Sequence, residues 1–316
     1  MTANYALIGA AGYIAPRHLK AIKETGGNLS TAFDINDSVG IMDSHFPDAA
    51  FFTEFEQFES HIHTEKAADC PTDYVAICSP NYLHKSHIGF ALRIGAQAIC
   101  EKPLVLNPSD LDDLGALEKE TGNKVNSILQ LRLHPAIIAL RDRVATGDPN
   151  KVYDVDLGYF TSRGAWYHAS WKGFPQKSGG IATNIGVHFY DMLRFVFGSL
   201  KENIVHHRGD DAAAGYLEFQ QARVRWVLSI NRNHLPSHTP KGQTTHRSIT
   251  VEGEEIEFSG GFTDLHTASY QGVLAGNGFG LNVVRPSIEV VSHIRNAPIE
   301  LYRGEQHPDI AKVLKT

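Results

Sequence analysis

The stretch Tyr5-Ala6-Leu7-Ile8-Gly9-Ala10-Ala11-Gly12-Tyr13-Ile14-Ala15 decides how the first part of the chain reads. An apolar strand runs into a glycine turn, and a helix is expected from about Pro16 to Thr25, stopped by Gly26-Gly27. Proline near a helix start sacrifices no hydrogen bond. Residues without bulk at such a turn let backbone N–H groups at the helix N-terminus reach a pyrophosphate. The usual spacing is G-x-G-x-x-G/A. Gly12-Tyr13-Ile14-Ala15 supplies its second half, and Gly9 lies one residue further upstream. A plain tight turn would use the same residues. Asp34 adds weight to the dinucleotide reading. It ends a predicted strand, Leu29 to Phe33, 22 residues after Gly12, where an acid binds ribose hydroxyls. As a helix cap it would read differently. No Lys or Arg occurs from Thr31 to Ala50, so a 2′-phosphate finds no cation, and NAD is favoured over NADP.

Outward from this turn, strand and helix signals alternate. Strands are expected at Asp73–Cys78, Ala96–Cys100 and Lys124–Leu129. Helices are expected at Ile88–Gly95 and from a Ser109 cap through Glu120. Nearly continuous apolar strands spaced by helices imply an α/β, doubly wound parallel sheet of the Rossmann kind. After Gln130 the pattern changes. A helix over Pro135–Ala145 leads to strands of period two at Lys151–Phe160 and Ala222–Ile230. Arg247–Val251 and Glu255–Phe258 flank a hairpin signal, Glu252-Gly253-Glu254. One helix, Thr183–Phe197, interrupts them. The expected division is 1–130, a nucleotide-binding domain, and 131–316, an α+β domain with a large, mostly antiparallel sheet for substrate binding and oligomerisation. The polar residues from Gly304 onward are expected to be mobile.

The chain has 316 residues, roughly two domains at about 150 residues each. Hydrophobic residues are 42% and charged residues 20%, which excludes wholesale disorder. The net charge of −6 gives no bulk attraction to phosphate polymers, so no nucleic-acid partner is expected. No apolar run approaches the roughly 18 residues of a membrane span, so no membrane partner is expected either. The apolar opening Tyr5–Ala15 lacks a preceding cation and contains the glycine turn, unlike a signal peptide. Cys70, Cys78 and Cys100 are too scattered for a disulfide framework, which points to a reducing cytoplasm. The 17 histidines show no His-Glu-x-x-His pattern, and His61/His63 and His206/His207 lack metal-ligating partners, so no metal is expected.

Loops at the carboxyl ends of parallel strands line the ligand crevice. Ser79-Pro80-Asn81-Tyr82-Leu83-His84 is one such loop, and Cys100-Glu101-Lys102-Pro103 is another. Turn chemistry alone would also use Pro80 and Asn81. Lys102 brings a cation to the crevice. Asn184 and His188, four apart on a predicted helix, share one face, with Asp191 near it. The run Thr161–Gly173 mixes the cations Arg163, His168 and Lys172 with the aromatics Trp166, Tyr167 and Trp171. Ser178-Gly179-Gly180 adds small residues and backbone N–H groups. Trp226 reads as sheet or interface packing.

Together these residues resemble the Gfo/Idh/MocA oxidoreductase family. Its Glu-Lys-Pro motif matches Glu101-Lys102-Pro103, and its second signature matches Asn184-Ile185-Gly186-Val187-His188. Further matches are Gly9–Arg17, Cys78–His84, Leu129–His134 and Ser178–His188. They are closest to the subgroup that oxidises the C3 hydroxyl of UDP-N-acetyl-2-amino-2-deoxy-D-glucuronate for lipopolysaccharide O-antigen synthesis. The extra residue in the glycine turn departs from the broad family and fits this subgroup. Asn184 stands where many members carry Asp. The resemblance implies NAD held by Gly9, Ala11, Gly12, Tyr13, Ile14, Asp34, Ser79, Pro80, Asn81, His84, Glu101, Lys102 and Gln130. It implies substrate contacts from Lys102, Arg163, Tyr167, Lys172, Ser178, Gly179, Asn184 and His188. Lys102 and His188 are the implied catalytic pair, either of them the base. The resemblance also implies a homotetramer and reoxidation of the bound cofactor by 2-oxoglutarate. Two other readings stay open: a different sugar or polyol dehydrogenase, and a non-catalytic dinucleotide-binding sensor.

Overall fold

A computed structural model describes residues 2–256 and 264–315. The chain divides into two compact units, 1–130 with 263–285 and 131–262 with 286–316.

The first unit is built on six strands: β1 (Asn4–Ile8), β2 (Asn28–Phe33), β3 (Ala50–Phe52), β4 (Tyr74–Ile77), β5 (Gln97–Cys100) and β6 (Val125–Ser127). Their order is β3-β2-β1-β4-β5-β6, and every pair is parallel. Leu7, Ile8, Val75, Ala76, Ile77 and Ile99 are fully buried, as a sheet covered on both faces requires. The register runs Phe33, Ile8, Ile77, Cys100 and Ser127 across five strands. The next residues in four of those strands are Asp34, Gly9, Cys78 and Glu101. One register row therefore puts the glycine turn, the acid and the two loops at the same carboxyl edge.

Helices Ala15–Glu24, Phe55–Ala67, His84–Ile94, Pro108–Thr121 and Leu265–Leu274 belong to this unit. β3 and the helices Phe55–Ala67 and Leu265–Leu274 lie outside the sequence expectation, and one helix cap is shifted. β3 has three residues, all half-buried, and Phe55–Ala67 buries only Phe58 and Ile62. The cap of Pro108–Thr121 is Asn107, not Ser109. Pro108 occupies the first turn, and Asn107 forms a capping box with Asp110.

The second unit carries β7 (Tyr153–Thr161), β8 (Leu200–Arg208), β9 (Ala212–Phe219), β10 (Ala222–Ser229), β11 (Thr245–Val251) and β12 (Glu254–Glu255). The order is β12-β11-β7-β10-β9-β8, parallel only between β7 and β10. Val155 and Leu157 of β7 point to the core. Asp154 and Asp156 between them meet Arg223 and Arg225, their register partners on β10. Trp226 is fully buried, and its ring lies 5.3 Å from that of Tyr190. β8 and β9 were not anticipated. Glu252 and Gly253 both take positive φ, 54° and 77°, so they form the two-residue turn between β11 and β12. Positions 257 and 258 of the expected strand Glu255–Phe258 lie outside the described residues.

The chain from Gly304 is not a loose tail. Ile310 and Val313, three apart on the short helix Ile310–Val313, are buried against Phe160, Ala212, Ala214 and Val227. Among the described residues no helix is long and apolar enough to cross a membrane.

Candidate functional site

Gly9 has φ +93°, and a Cβ there would lie 2.7 Å from the Cys78 carbonyl carbon and 2.8 Å from the Ser79 nitrogen. No other residue allows the first turn to pass so close to β4. The Gly9 and Ala10 N–H groups both donate to the Phe33 carbonyl, at 2.8 and 3.2 Å, and Gly12 N–H donates to the Gly9 carbonyl at 3.0 Å. Asp34 is buried. Its Oδ2 accepts the Ala11 N–H at 3.0 Å, and its Oδ1 accepts the Asn36 N–H at 2.9 Å. The acid thus pins the turn as well as standing at the strand end. Ile14 is the N-cap of Ala15–Glu24, and Tyr13 is exposed.

Beyond β4, Ser79, Asn81 and His84 are buried, and Pro80 precedes the short turn Asn81–Leu83. His84 Nε2 lies 2.8 Å from the Ser79 carbonyl oxygen and Nδ1 lies 2.7 Å from that of Pro103. The buried imidazole lies between the two loops and, when neutral, donates to one of these carbonyls at a time. Burial lowers its pKa, and the two carbonyls oppose that. Ser79 Oγ lies 2.8 Å from Nδ1 of His87, which burial pushes down to about 4. His87 is therefore neutral near pH 7 and shares one hydrogen bond with the serine hydroxyl. Beyond β5, Glu101 is buried and Lys102 is half-buried. Burial pushes the Lys102 ammonium below its ordinary value, and Glu101 pulls it back up. Gln130 Oε1 is buried with no hydrogen-bond partner among the described residues.

In the second unit, Ala182–Gly186 makes one π-helical turn that runs into the α-helix Val187–Phe197. Such turns are frequent at functional sites. An offset of four stays near one face in either winding, so Asn184 and His188, both half-buried, remain neighbours. Asn184 Nδ2 donates to the buried Tyr167 hydroxyl at 2.9 Å. Burial raises the Tyr167 pKa, while Asn184 and Arg163 lower it. Arg163 is exposed. The Lys172 ammonium sits 4.3 Å from the Trp171 ring centre and 5.7 Å from that of Trp166. Tyr167 and Asn184 are thus brought together. Ser178 is turned inward: its hydroxyl donates to the Phe174 carbonyl and accepts the Gly180 N–H. Gly179 has φ +81°, and a Cβ would lie 2.6 Å from that of Thr183. Asp191 faces away from any solvent role. It takes a bidentate ion pair from Arg132, at 2.7 Å on both oxygens.

Sequence reasoning missed one cluster entirely. His18, Glu101 and His266 converge in the first unit, all buried, with a ring nitrogen or carboxylate oxygen of each within 4.8 Å of the others. The two histidines stand 83 and 165 residues from Glu101, and no spacing motif links them.

Residues 3–128 match the model of the oxidoreductase family's NAD-binding Rossmann fold, and residues 141–268 match that family's C-terminal alpha/beta domain. Two solved structures of the WlbA (WbpB) dehydrogenase from Thermus thermophilus are 48% and 49% identical to this chain. Each comparison covers 98% of this chain and 99% of the other, with TM-scores of 0.92 and 0.91. The chain is a Gfo/Idh/MocA oxidoreductase. One of those structures is in complex with NAD and UDP-GlcNAcA, the other with NAD and alpha-ketoglutarate. A more distant relative, the 1,5-anhydro-D-fructose reductase of Ensifer adhaerens, is 27% identical over 70% of this chain and 67% of its own length. This Gfo/Idh/MocA chain takes NAD as its cofactor. The residues present fit that group: the bare backbone at Gly9 gives close approach, and the orphaned Gln130 oxygen offers an acceptor.

Proposed function

We propose that this protein oxidises the C3 hydroxyl of UDP-N-acetyl-2-amino-2-deoxy-D-glucuronate to the 3-keto sugar and recycles its NAD in place with 2-oxoglutarate. The observation that carries this is the near-full-length likeness, at 48% and 49% identity, to a dehydrogenase crystallised with UDP-GlcNAcA and with alpha-ketoglutarate. Bound nicotinamide supplies a hydride acceptor. Lys102 and His188 handle the hydroxyl proton, one as base and the other as partner or relay. Burial lowers the Lys102 pKa, so a larger share is neutral amine at a given pH. Asn184, fixed by Tyr167, orients the sugar or the imidazole. Arg163 and Lys172 meet the carboxylate and diphosphate. Gly179 contributes backbone, and so does Ser178, whose hydroxyl is taken up within its own turn. Pro80, Asn81, His84, Glu101 and Gln130 support the dinucleotide from the carboxyl edge.

A sugar alcohol is a weak reductant of NAD, so the keto sugar accumulates only when the hydride is drawn off. In the recycling step the hydride ends on C2 of 2-oxoglutarate, and the proton returns to its oxygen. The sum is sugar alcohol plus 2-oxo acid giving keto sugar plus 2-hydroxyglutarate. Enzyme mixed with the UDP-sugar acid and 2-oxoglutarate, with no free NAD, is expected to form 2-hydroxyglutarate and keto sugar in equal amounts with ping-pong kinetics. Turnover that needs added NAD and ignores 2-oxoglutarate would refute the cycle. A polyol accepted in place of the UDP-sugar would refute the substrate. The enzyme works as a cytoplasmic homotetramer in O-antigen sugar synthesis.

Asp34 presents a carboxylate where a 2′-phosphate would sit, and Ile35 and Asn36 after it bring no cation. Binding of NADP is therefore expected to be weaker than that of NAD by about 1.5–3 kcal/mol, the worth of one charge-assisted hydrogen bond. Equal affinities by titration calorimetry would contradict this.

A further inference from the structure

Glu101 follows β5 directly, and its carboxylate is buried. An anion there is stable only when donors converge on it. His18 Nε2 lies 3.0 Å and His266 Nε2 lies 2.9 Å from the same oxygen, Oε1. The other oxygen, Oε2, accepts the Lys102 backbone N–H at 3.2 Å. Behind His18, the Tyr270 hydroxyl lies 2.7 Å from Nδ1. The carboxylate oxygen can only accept, so a neutral His18 carries its proton on Nε2, and its Nδ1 accepts from the Tyr270 hydroxyl. A neutral His18 therefore still donates to Glu101. The separations are those of hydrogen bonds. The donors come from two helices, Ala15–Glu24 and Leu265–Leu274, in the same unit as Glu101.

We propose that His18 and His266 are positioning residues: their N–H groups clamp the Glu101 carboxylate as an anion, and that anion sets the charge state of Lys102, its neighbour in the chain. The proposal rests on the reading that Lys102 takes part in proton transfer. The clamp holds Glu101 well below the usual carboxylate range in spite of its burial. Lys102 feels two opposed influences, burial pushing its pKa down and Glu101 pushing it up. The other titratable groups that face Glu101 stay neutral near pH 7. Burial pushes the Cys78 and Cys100 thiols and Tyr270 up, and it pushes His84 down. The clamped carboxylate is thus the charge that opposes the effect of burial on the half-buried Lys102.

The test reads Lys102 itself, without substrate. Trace acetylation of the full-length protein with acetic anhydride across pH, followed by peptide mass spectrometry, gives the midpoint for its deprotonation. In His266→Leu the Glu101 anion loses a donor and takes up a proton more readily. The Lys102 midpoint is then expected to move down by about one unit, a roughly tenfold faster labelling at a fixed pH below it. His266→Gln, which restores an N–H donor, is expected to return it close to wild type. Should His266→Leu fail to fold, Glu101→Gln removes the charge while keeping the shape, and the same downward shift is expected. An unmoved midpoint in either folded variant would overturn the clamp. So would failure of His266→Gln to rescue, or a stoichiometric divalent metal found in the wild-type protein by elemental analysis. A shifted midpoint in a protein that never turns over the UDP-sugar would overturn the proposed function and leave the clamp standing.

Discussion

Lys102→Ala and His188→Ala are each expected to lower turnover by about 10²–10⁴-fold, the usual worth of a general acid–base group, with fold and NAD binding retained. The expectation rests on where each side chain sits. Lys102 is half-buried at the carboxyl edge of the parallel sheet, next to an ionised carboxylate. His188 opens the helix Val187–Phe197 straight after the π-helical turn that carries Asn184. Burial lowers the Lys102 pKa, so its neutral, proton-accepting form grows in as pH rises through that lowered value. If Lys102 is the base, the acid limb of the rate profile vanishes in Lys102→Ala. If His188 is, that limb vanishes in His188→Ala. Near wild-type rates in both variants would sink the assignment of this pair.

The second large effect is one of stability. Arg132→Met is expected to lose about 3–5 kcal/mol at neutral pH, because it strands the Asp191 carboxylate, 2% exposed, without its cation. Methionine keeps some packing beneath the Phe195 ring, over which the guanidinium sits at 5.0 Å, so the loss reports mainly the charge. Burial already raises the Asp191 pKa against the pull of Arg132. Without Arg132 it rises further. A carboxyl whose folded pKa exceeds its unfolded value carries a penalty that is full above the folded pKa and fades as pH falls. The gap between variant and wild type should therefore narrow from pH 7 to pH 5. Urea unfolding at both values checks this. A loss under about 1 kcal/mol, or one that does not change with pH, would contradict the account.

Local requirements were the legible part of this protein. Gly9 and Asp34 could be read because a positive φ, a close approach to Cys78 and an acid at a strand end are demands written at single positions. Asn184 and His188 could be read because four residues is a helical interval, although the π-helical winding before His188 leaves no sequence mark. The illegible parts depend on distant partners. The Ala50–Phe52 strand is too short to show a period. Ile310 and Val313 look like a tail until Phe160 and Ala212 are beneath them. Asp191 was read as close to His188's face, and its bond to Arg132 spans 59 residues that no pattern joins. The histidines on Glu101 were invisible for the same reason.

The return of residues 263–285 to the first unit has a consequence for how the chain is made. A ribosome delivers β1 through β6 long before it delivers Tyr270 and Val273, which complete the core around Tyr5, Leu19 and Ile22. Until then the helix Ala15–Glu24 presents an uncovered apolar side, and Glu101 waits for His266. Synthesis of nearly the whole second sheet falls within that wait. The nucleotide-binding half is therefore finished late, and a nascent chain that stalls near residue 250 emerges with both halves incomplete. Such a chain exposes apolar surface of the kind that chaperones hold.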